Sequence, residues 1–180
     1  MSGKLLVVSG PSGAGIREIV GSVLERRQDI GAVVPVTARK MKAGEQDGVG
    51  FYFYDLEGWS ALKESGDLLE CTEFAGNDYG TSRRLVKEQL ENGKHVILSL
   101  EPERAAQLKQ NMPEAIWVAM APSAPVLEER YRALSRSAVE LSVRLEQAGR
   151  QQALLEGCDT RICSDDPVAA ARALEALLDG

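Results

Sequence analysis

Two kinds of apolar pattern alternate along the chain. Leu5–Val8 is a continuous apolar run closed by Ser9-Gly10, the pattern of a buried strand. Beyond the glycine-rich segment Gly10–Gly15, apolar residues recur at helical spacing at Ile16, Ile19, Val20 and Val23. The alternation continues downstream. Strands are predicted over Ala32–Ala38, Leu68–Phe74, His95–Leu100, Ala115–Ala121 and Arg161–Cys163, with extended structure at Phe51-Tyr52-Phe53. Helices are predicted from Asp55 as N-cap to Ser65 with Gly66 as the stop, over Leu85–Leu90, over Glu103–Gln110, and from Pro122-Ser123 through Arg132. Ser137-Ala138-Val139-Glu140 has capping-box spacing and predicts a helix to about Leu155. Asp166 followed by Pro167 announces a last helix over Val168–Leu178. Arg39–Gly50 lacks an apolar period and reads as a loop; Gly76–Gly80 reads as a turn.

Strand–helix alternation of this kind predicts an α/β fold, a parallel sheet covered by helices. The stretch from about 35 to 81 is richer in strands and loops and is expected to form a small substrate-binding subdomain. A length of 180 residues, 44% of them hydrophobic, suits one unit carrying such a subdomain. Lys and Arg number 21 against 27 Asp and Glu, a net charge of -6. That balance argues against nucleic acid or an anionic membrane as partner, since both are held by clustered cations. It leaves room for a local basic site that holds a small anion, and for a homodimer or a protein partner. No apolar run reaches the ~20 residues of a membrane helix, and the N-terminal run is too brief for a signal peptide. Cys71, Cys158 and Cys163 lack zinc-type spacing and read as reduced thiols of a cytoplasmic protein. His95, at the start of a buried strand, and Trp59 and Trp117 read as packing residues.

The candidate chemistry starts at Gly10-x-x-x-x-Gly15, the glycine spacing of a Walker A phosphate loop. Small residues there let backbone N–H groups converge on phosphate oxygens at a helix N-terminus. The full signature continues with Lys and then Ser or Thr, which reach the β- and γ-phosphates and ligate magnesium. Ile16 and Arg17 stand in those places. Glycine turns also join strands to helices without any ligand, so the loop alone leaves both readings open.

Further segments carry a resemblance. Thr37-Ala38-Arg39, then Ala43–Gly48 and Phe51-Tyr52-Phe53, are followed by Gly66-Asp67-Leu68-Leu69-Glu70 and Gly76-Asn77-Asp78-Tyr79-Gly80-Thr81. With the glycine loop and Val96–Glu101, these make the chain similar to the guanylate kinases over nearly its whole length. The resemblance implies a P-loop NTPase-type parallel sheet flanked by helices, a small mixed α/β nucleoside-monophosphate-binding subdomain and a helical lid. It implies a core over about 1–34, 82–126 and 150–180, a GMP-binding subdomain over about 35–81, and a lid over about 127–149. It places Gly10, Ser12, Gly13, Ala14, Gly15 and Arg17 at the ATP phosphates. Glu70 and Thr81 fall at the guanine base, and Arg39, Lys42 and Tyr79 at the GMP phosphate. Arg39, Arg130 and Arg144 are the expected catalytic cations, with ATP and Mg2+ as cofactors and Glu101 on the metal side. The chemistry is consistent: a carboxylate accepts the guanine N1–H and N2–H together, which adenine cannot offer.

Several positions depart from the family pattern. Pro35 replaces a phosphate-contacting Ser, Lys42 an Arg whose fork it cannot reproduce, and Phe51 a Tyr. Ser99 and Glu101 replace two Asp, and Ser164 an Asn near the adenine. The middle lid arginine falls near Leu134 or, with one deletion, at Arg136. The losses concentrate on ATP and metal. The expectation is therefore a protein that binds GMP or a related guanine nucleotide, with impaired or absent phosphoryl transfer. The alternatives are an active kinase making ADP and GDP with an atypical loop, in which Arg17 supplies charge in place of magnesium, and a module that binds phosphopeptides through the former GMP site. A kinase for another phosphorylated acceptor would have no use for Glu70 and Thr81.

Overall fold

A computed structural model describes residues 3–180. Its centre is a four-stranded parallel sheet in the order β6-β1-β7-β8, built from β1 (Leu5–Ser9), β6 (Val96–Ser99), β7 (Ile116–Met120) and β8 (Thr160–Ile162). Side chains alternate across β1. Leu5 and Val7 enter one core layer with Val96, Leu108 and Trp117; Leu6 and Val8 enter the other with Ile19, Met120 and Leu174. Burial on both faces is why the strand reads as an unbroken apolar run. Helices α1 (Ile16–Arg26) and α7 (Pro167–Asp179) supply Ile19 and Leu174 to one layer, and α4 (Pro102–Asn111) supplies Leu108 to the other. His95 and the tryptophans pack as expected. His95 Nδ1 accepts from the Lys4 N–H at 3.1 Å, Trp117 Nε1 donates to Ser9 Oγ at 2.6 Å, and Trp59 is buried.

A second sheet, in the order β3-β2-β5-β4, comprises β2 (Val36–Thr37), β3 (Tyr52–Phe53), β4 (Leu68–Phe74) and β5 (Asn77–Ser82). Strands β2 and β3 run parallel and the other pairs antiparallel. Two expectations are corrected here. Extended pairing from Ala32 shrinks to Val36–Thr37, because Pro35 has no N–H to donate to a ladder. The turn expected over Gly76–Gly80 is confined to Ala75 and Gly76, both at positive φ, and Asn77–Ser82 is a strand. Turn-prone Asn77 and Asp78 are recruited because β5 is paired on both sides, by β4 and by β2. Gly80 is needed there for closeness: a Cβ would lie 2.7 Å from the Glu70 carbonyl oxygen.

The remaining helices are α2 (Leu56–Glu64), α3 (Arg83–Glu91), α5 (Ala124–Leu134) and α6 (Ala138–Leu154). Asp55 caps α2 through the Gly58 N–H, and Ser82 caps α3 through the Leu85 N–H. Ser137 caps α6 by accepting from the Glu140 N–H at 3.1 Å, but the return bond of Glu140 goes to the Arg136 N–H at 2.9 Å. Helices α5 and α6 pack on each other through Leu127, Tyr131 and Ala148. The three cysteines are free, and no helix among the described residues is long and apolar enough to cross a membrane.

Candidate functional site

The strand order places the loops after β1 and β6 side by side at the carboxyl ends of the parallel sheet, where ligands of such folds bind. A cavity of about 1200 Å³ opens there, lined by Gly10–Gly15, Arg17, Ser99, Glu101 and Arg104. A second, of about 750 Å³, lies toward the mixed sheet and is lined by Pro35, Phe51, Tyr79, Thr81 and Arg104. Ser99, Leu100, Glu101 and Arg104 form a wall common to both.

At the glycine loop, Gly13 and Gly15 have left-handed backbones, with φ of 81° and 80°. Gly13 also lies against Tyr131, whose ring carbon would sit 3.0 Å from an added Cβ. Gly15 caps α1 without a side-chain bond, so first-turn N–H groups remain available to an anion. Ile16 is half-buried: it packs against the core layer of Ile19 and Val20 and also lines the cavity. Arg17 is exposed at the cavity edge. Other polar groups already hold the loop. Gln151 Oε1 accepts from the Ser12 N–H at 3.0 Å, while its amide nitrogen donates to Glu101 at 3.3 Å. The Tyr131 hydroxyl donates to the Ser12 carbonyl. Arg130 donates to the carbonyls of Gly13 and Ser164, each at 2.9 Å. Arg144 pairs with Glu140 at 2.8 Å, one helical turn away.

The donor set fits magnesium poorly. Arg17 is a cation, Ser99 is neutral, and Glu101 is already bonded to Gln151. Among the described residues no group of three His, Cys, Asp or Glu could hold a metal ion. The loop backbone, by contrast, suits nucleotide phosphates.

On the mixed sheet, β4 and β5 bring Glu70 and Thr81 together as cross-strand partners. Glu70 is 1% exposed, and Thr81 Oγ1 donates to its Oε1 at 2.6 Å. Arg104, from the first turn of α4, completes the shell. Its Nε donates to Glu70 Oε2 at 2.5 Å and its Nη2 to Oε1 at 2.9 Å. The α4 face that carries Arg104 also covers the edge of β4. Gln107 accepts from the Cys71 N–H at 2.7 Å, and Asn111 donates to the Leu69 carbonyl at 2.9 Å.

The phosphate-side residues form a separate cluster. Arg39 donates a fork to Glu45, with bonds of 3.0 and 2.8 Å, and lies 5.6 and 5.2 Å from the Phe51 and Phe53 ring centres. The fork holds the Glu45 carboxyl at about 2, well below its ordinary value, and raises the Arg39 guanidinium. Tyr79 packs 5.6 Å from Phe51. Lys42 is exposed; its N–H donates to Glu45 at 2.6 Å. Ser164 is fully buried with its hydroxyl unpartnered.

The structure thus pairs Glu70 with Thr81, sets Arg39 near Tyr79 and holds the glycine loop with Arg130; Thr81 and Tyr79 line one cavity and the glycine loop the other, while Arg39, Lys42, Glu70 and Arg144 line neither. Sequence reasoning missed Arg104, Tyr131 and Gln151. Only the separation of Arg104 from Glu101 by two residues hinted that its side chain faces the cleft.

Comparisons with known proteins bear on the chain as a whole. The guanylate kinase family model matches residues 2–179. Guanylate kinase of Trichormus variabilis is 36% identical over 99% of this chain and 91% of its own length. That of Synechococcus sp. strain CC9311 is 39% identical over 94% of this chain and 90% of its own length. The crystal structure of guanylate kinase from Anaplasma phagocytophilum superposes with a TM-score of 0.68 at 25% identity, covering 99% of this chain and 85% of that one. With a P-loop, a parallel sheet and full-length similarity all in agreement, the chain belongs to the guanylate kinase family.

Proposed function

We propose that this protein binds GMP or a related guanine nucleotide and that its ATP-dependent phosphoryl transfer is impaired or absent. Glu70 and Thr81 take the base edge; Arg39, Lys42 and Tyr79 take the phosphate. One contrast carries the reading. Glu70, Tyr79 and Thr81 lie together on β4 and β5, whereas the position of the phosphate-loop Lys holds Ile16, half-buried against the core layer of Ile19 and with no charge to offer the cavity it lines. Phosphoryl transfer rests on positioning and charge neutralisation, so loss of a mobile ammonium and of a metal-holding hydroxyl falls directly on the rate.

A second reading, an active ATP:GMP phosphotransferase, draws support from Arg17, a fixed cation at the edge of the loop cavity. Two measurements decide. Calorimetry with GMP is expected to show binding, and none at millimolar nucleotide would end the proposal. A coupled assay for GDP is expected to give little or no turnover, and a rate within the ordinary enzyme range of about 1–1000 s⁻¹ would select the second reading.

A further inference from the structure

The Glu70 carboxylate is not free to receive a base. Both its oxygens are taken by the Arg104 guanidinium, and Oε1 also by Thr81. Guanidinium and the guanine edge are chemically alike at this point. Each presents two parallel, coplanar N–H donors at the spacing of a carboxylate's two oxygens. Arg104 sits on a cleft wall rather than deep in the core. Its side chain is 24% exposed against 0% for Glu70, and it lines both cavities. It has space to swing into, whereas Glu70 has none.

We propose that Arg104 gates the base slot: its guanidinium occupies the base-reading carboxylate in place of guanine and must leave before a guanine edge can pair with Glu70. The proposal rests on the GMP reading above for its ligand, and on the Glu70–Arg104 pair alone for its geometry. The gate lowers apparent affinity by the fraction of molecules in which Glu70 is free. The reduction is the same factor for every ligand that needs Glu70, so guanine and hypoxanthine are held back alike, while a base that makes no use of the carboxylate, such as adenine, is not. Helix α4 restores Arg104 after each departure, because Gln107 and Asn111 keep the same helix face fastened to β4.

The test is nucleotide binding to wild type, Arg104→Ala and the Arg104→Ala/Glu70→Gln double variant. Arg104→Ala is expected to bind GMP about tenfold more tightly or better, the scale of a charge-assisted fork no longer displaced. IMP, which also pairs with Glu70, is expected to gain by a similar factor, AMP to gain nothing, and the double variant to lose the gain. Should Arg104→Ala not fold, Arg104→Lys, which keeps the charge without the fork, is expected to show a smaller gain in the same direction. Equal or weaker GMP binding in the folded variant overturns the gate while leaving the GMP reading intact. If no variant binds GMP, the GMP reading fails, and methylguanidinium, a donor fork without base or phosphate, decides the gate by itself. Millimolar methylguanidinium is expected to raise the melting temperature of Arg104→Ala but not of wild type or of the double variant. No selective rise overturns the gate.

Discussion

The polar shell of Glu70 makes a quantitative prediction at Thr81. Thr81→Val keeps the branched shape that suits β5 and removes only the hydroxyl, so the change reports one hydrogen bond to a carboxylate. Such bonds contribute about 1.5–3 kcal/mol. Here the low end applies, because Oε1 keeps Arg104 Nη2 at 2.9 Å and is not left unpaired. Thr81 is 4% exposed, so the new methyl group is buried and offsets up to about 0.8 kcal/mol. The expected net loss is about 0.7–1.5 kcal/mol. For a chain of this length that is about 1–6 °C in melting temperature. Urea unfolding followed by tryptophan fluorescence reads the same quantity as a lower midpoint at unchanged slope. In a Glu70→Gln background the Thr81→Val cost should fall by about half or more, because the charge that strengthens the bond is gone. A change below about 0.5 kcal/mol, the scale of ordinary surface substitutions, would refute the reasoning. It would mean that Thr81 does not hold the carboxylate in place.

Other predictions address the remaining parts of the cleft. Ile16→Lys with Arg17→Ser should raise GDP formation in the coupled assay by on the order of tenfold to a hundredfold, since each restores a preorganised electrostatic contact. The same variant should melt a few degrees lower, because Ile16 leaves its core contacts. Glu45 is depressed to about 2 by the Arg39 fork, so its pairing contributes stability above the ordinary carboxylate value and loses it as pH falls toward 2. The melting-temperature difference between wild type and Glu45→Gln should therefore be flat above about pH 5 and vanish near pH 2. Gly80→Ala forces a Cβ to within 2.7 Å of the Glu70 carbonyl oxygen and should cost about 1–3 kcal/mol in urea unfolding, together with weaker GMP binding.

The sequence was most legible where a signal is local. Asp166-Pro167 announces α7, and Asp166 indeed accepts from the Val168 and Ala169 N–H groups. Leu5–Val8 reads as doubly buried because both core layers take alternate residues from it. Reading failed where tertiary pairing overrides propensity. Asn77 and Asp78 are turn formers held in a strand by neighbours on two sides, and the Ala32–Ala38 run carries a proline that a ladder cannot use. In the cleft, glycine spacing pointed to the loop, and the family resemblance to Glu70 and Thr81, which β4 and β5 set opposite each other. It was silent on what holds them. The partners of Glu70, Ser12 and Gly13 come from Arg104, Gln151, Tyr131 and Arg130, across separations of 34, 139, 119 and 117 residues. No periodicity or spacing rule reaches that far.

These long-range partners change what binding means here. Three of the cations that the family resemblance assigns to phosphate are already engaged. Arg39 is paired with Glu45, Arg144 with Glu140, and Arg130 with main-chain carbonyls. The Glu70 carboxylate is paired with Arg104, and one loop N–H with Gln151. At these groups an entering nucleotide would exchange one set of bonds for another. The net gain per contact is then the difference between two similar bonds, well below the full worth of either. Affinity should consequently come from contacts the unliganded cleft does not already make, such as phosphate on first-turn N–H groups of α1. Single substitutions of the internal partners, Glu45, Gln151 or Arg104, should therefore move nucleotide affinity upward, while substitutions of the residues they cover move it downward. Calorimetric titration of Glu45→Gln and Gln151→Ala with GMP and ATP respectively would expose the exchange. Affinities unchanged in both would show that the internal bonds are absent from the unliganded protein in solution.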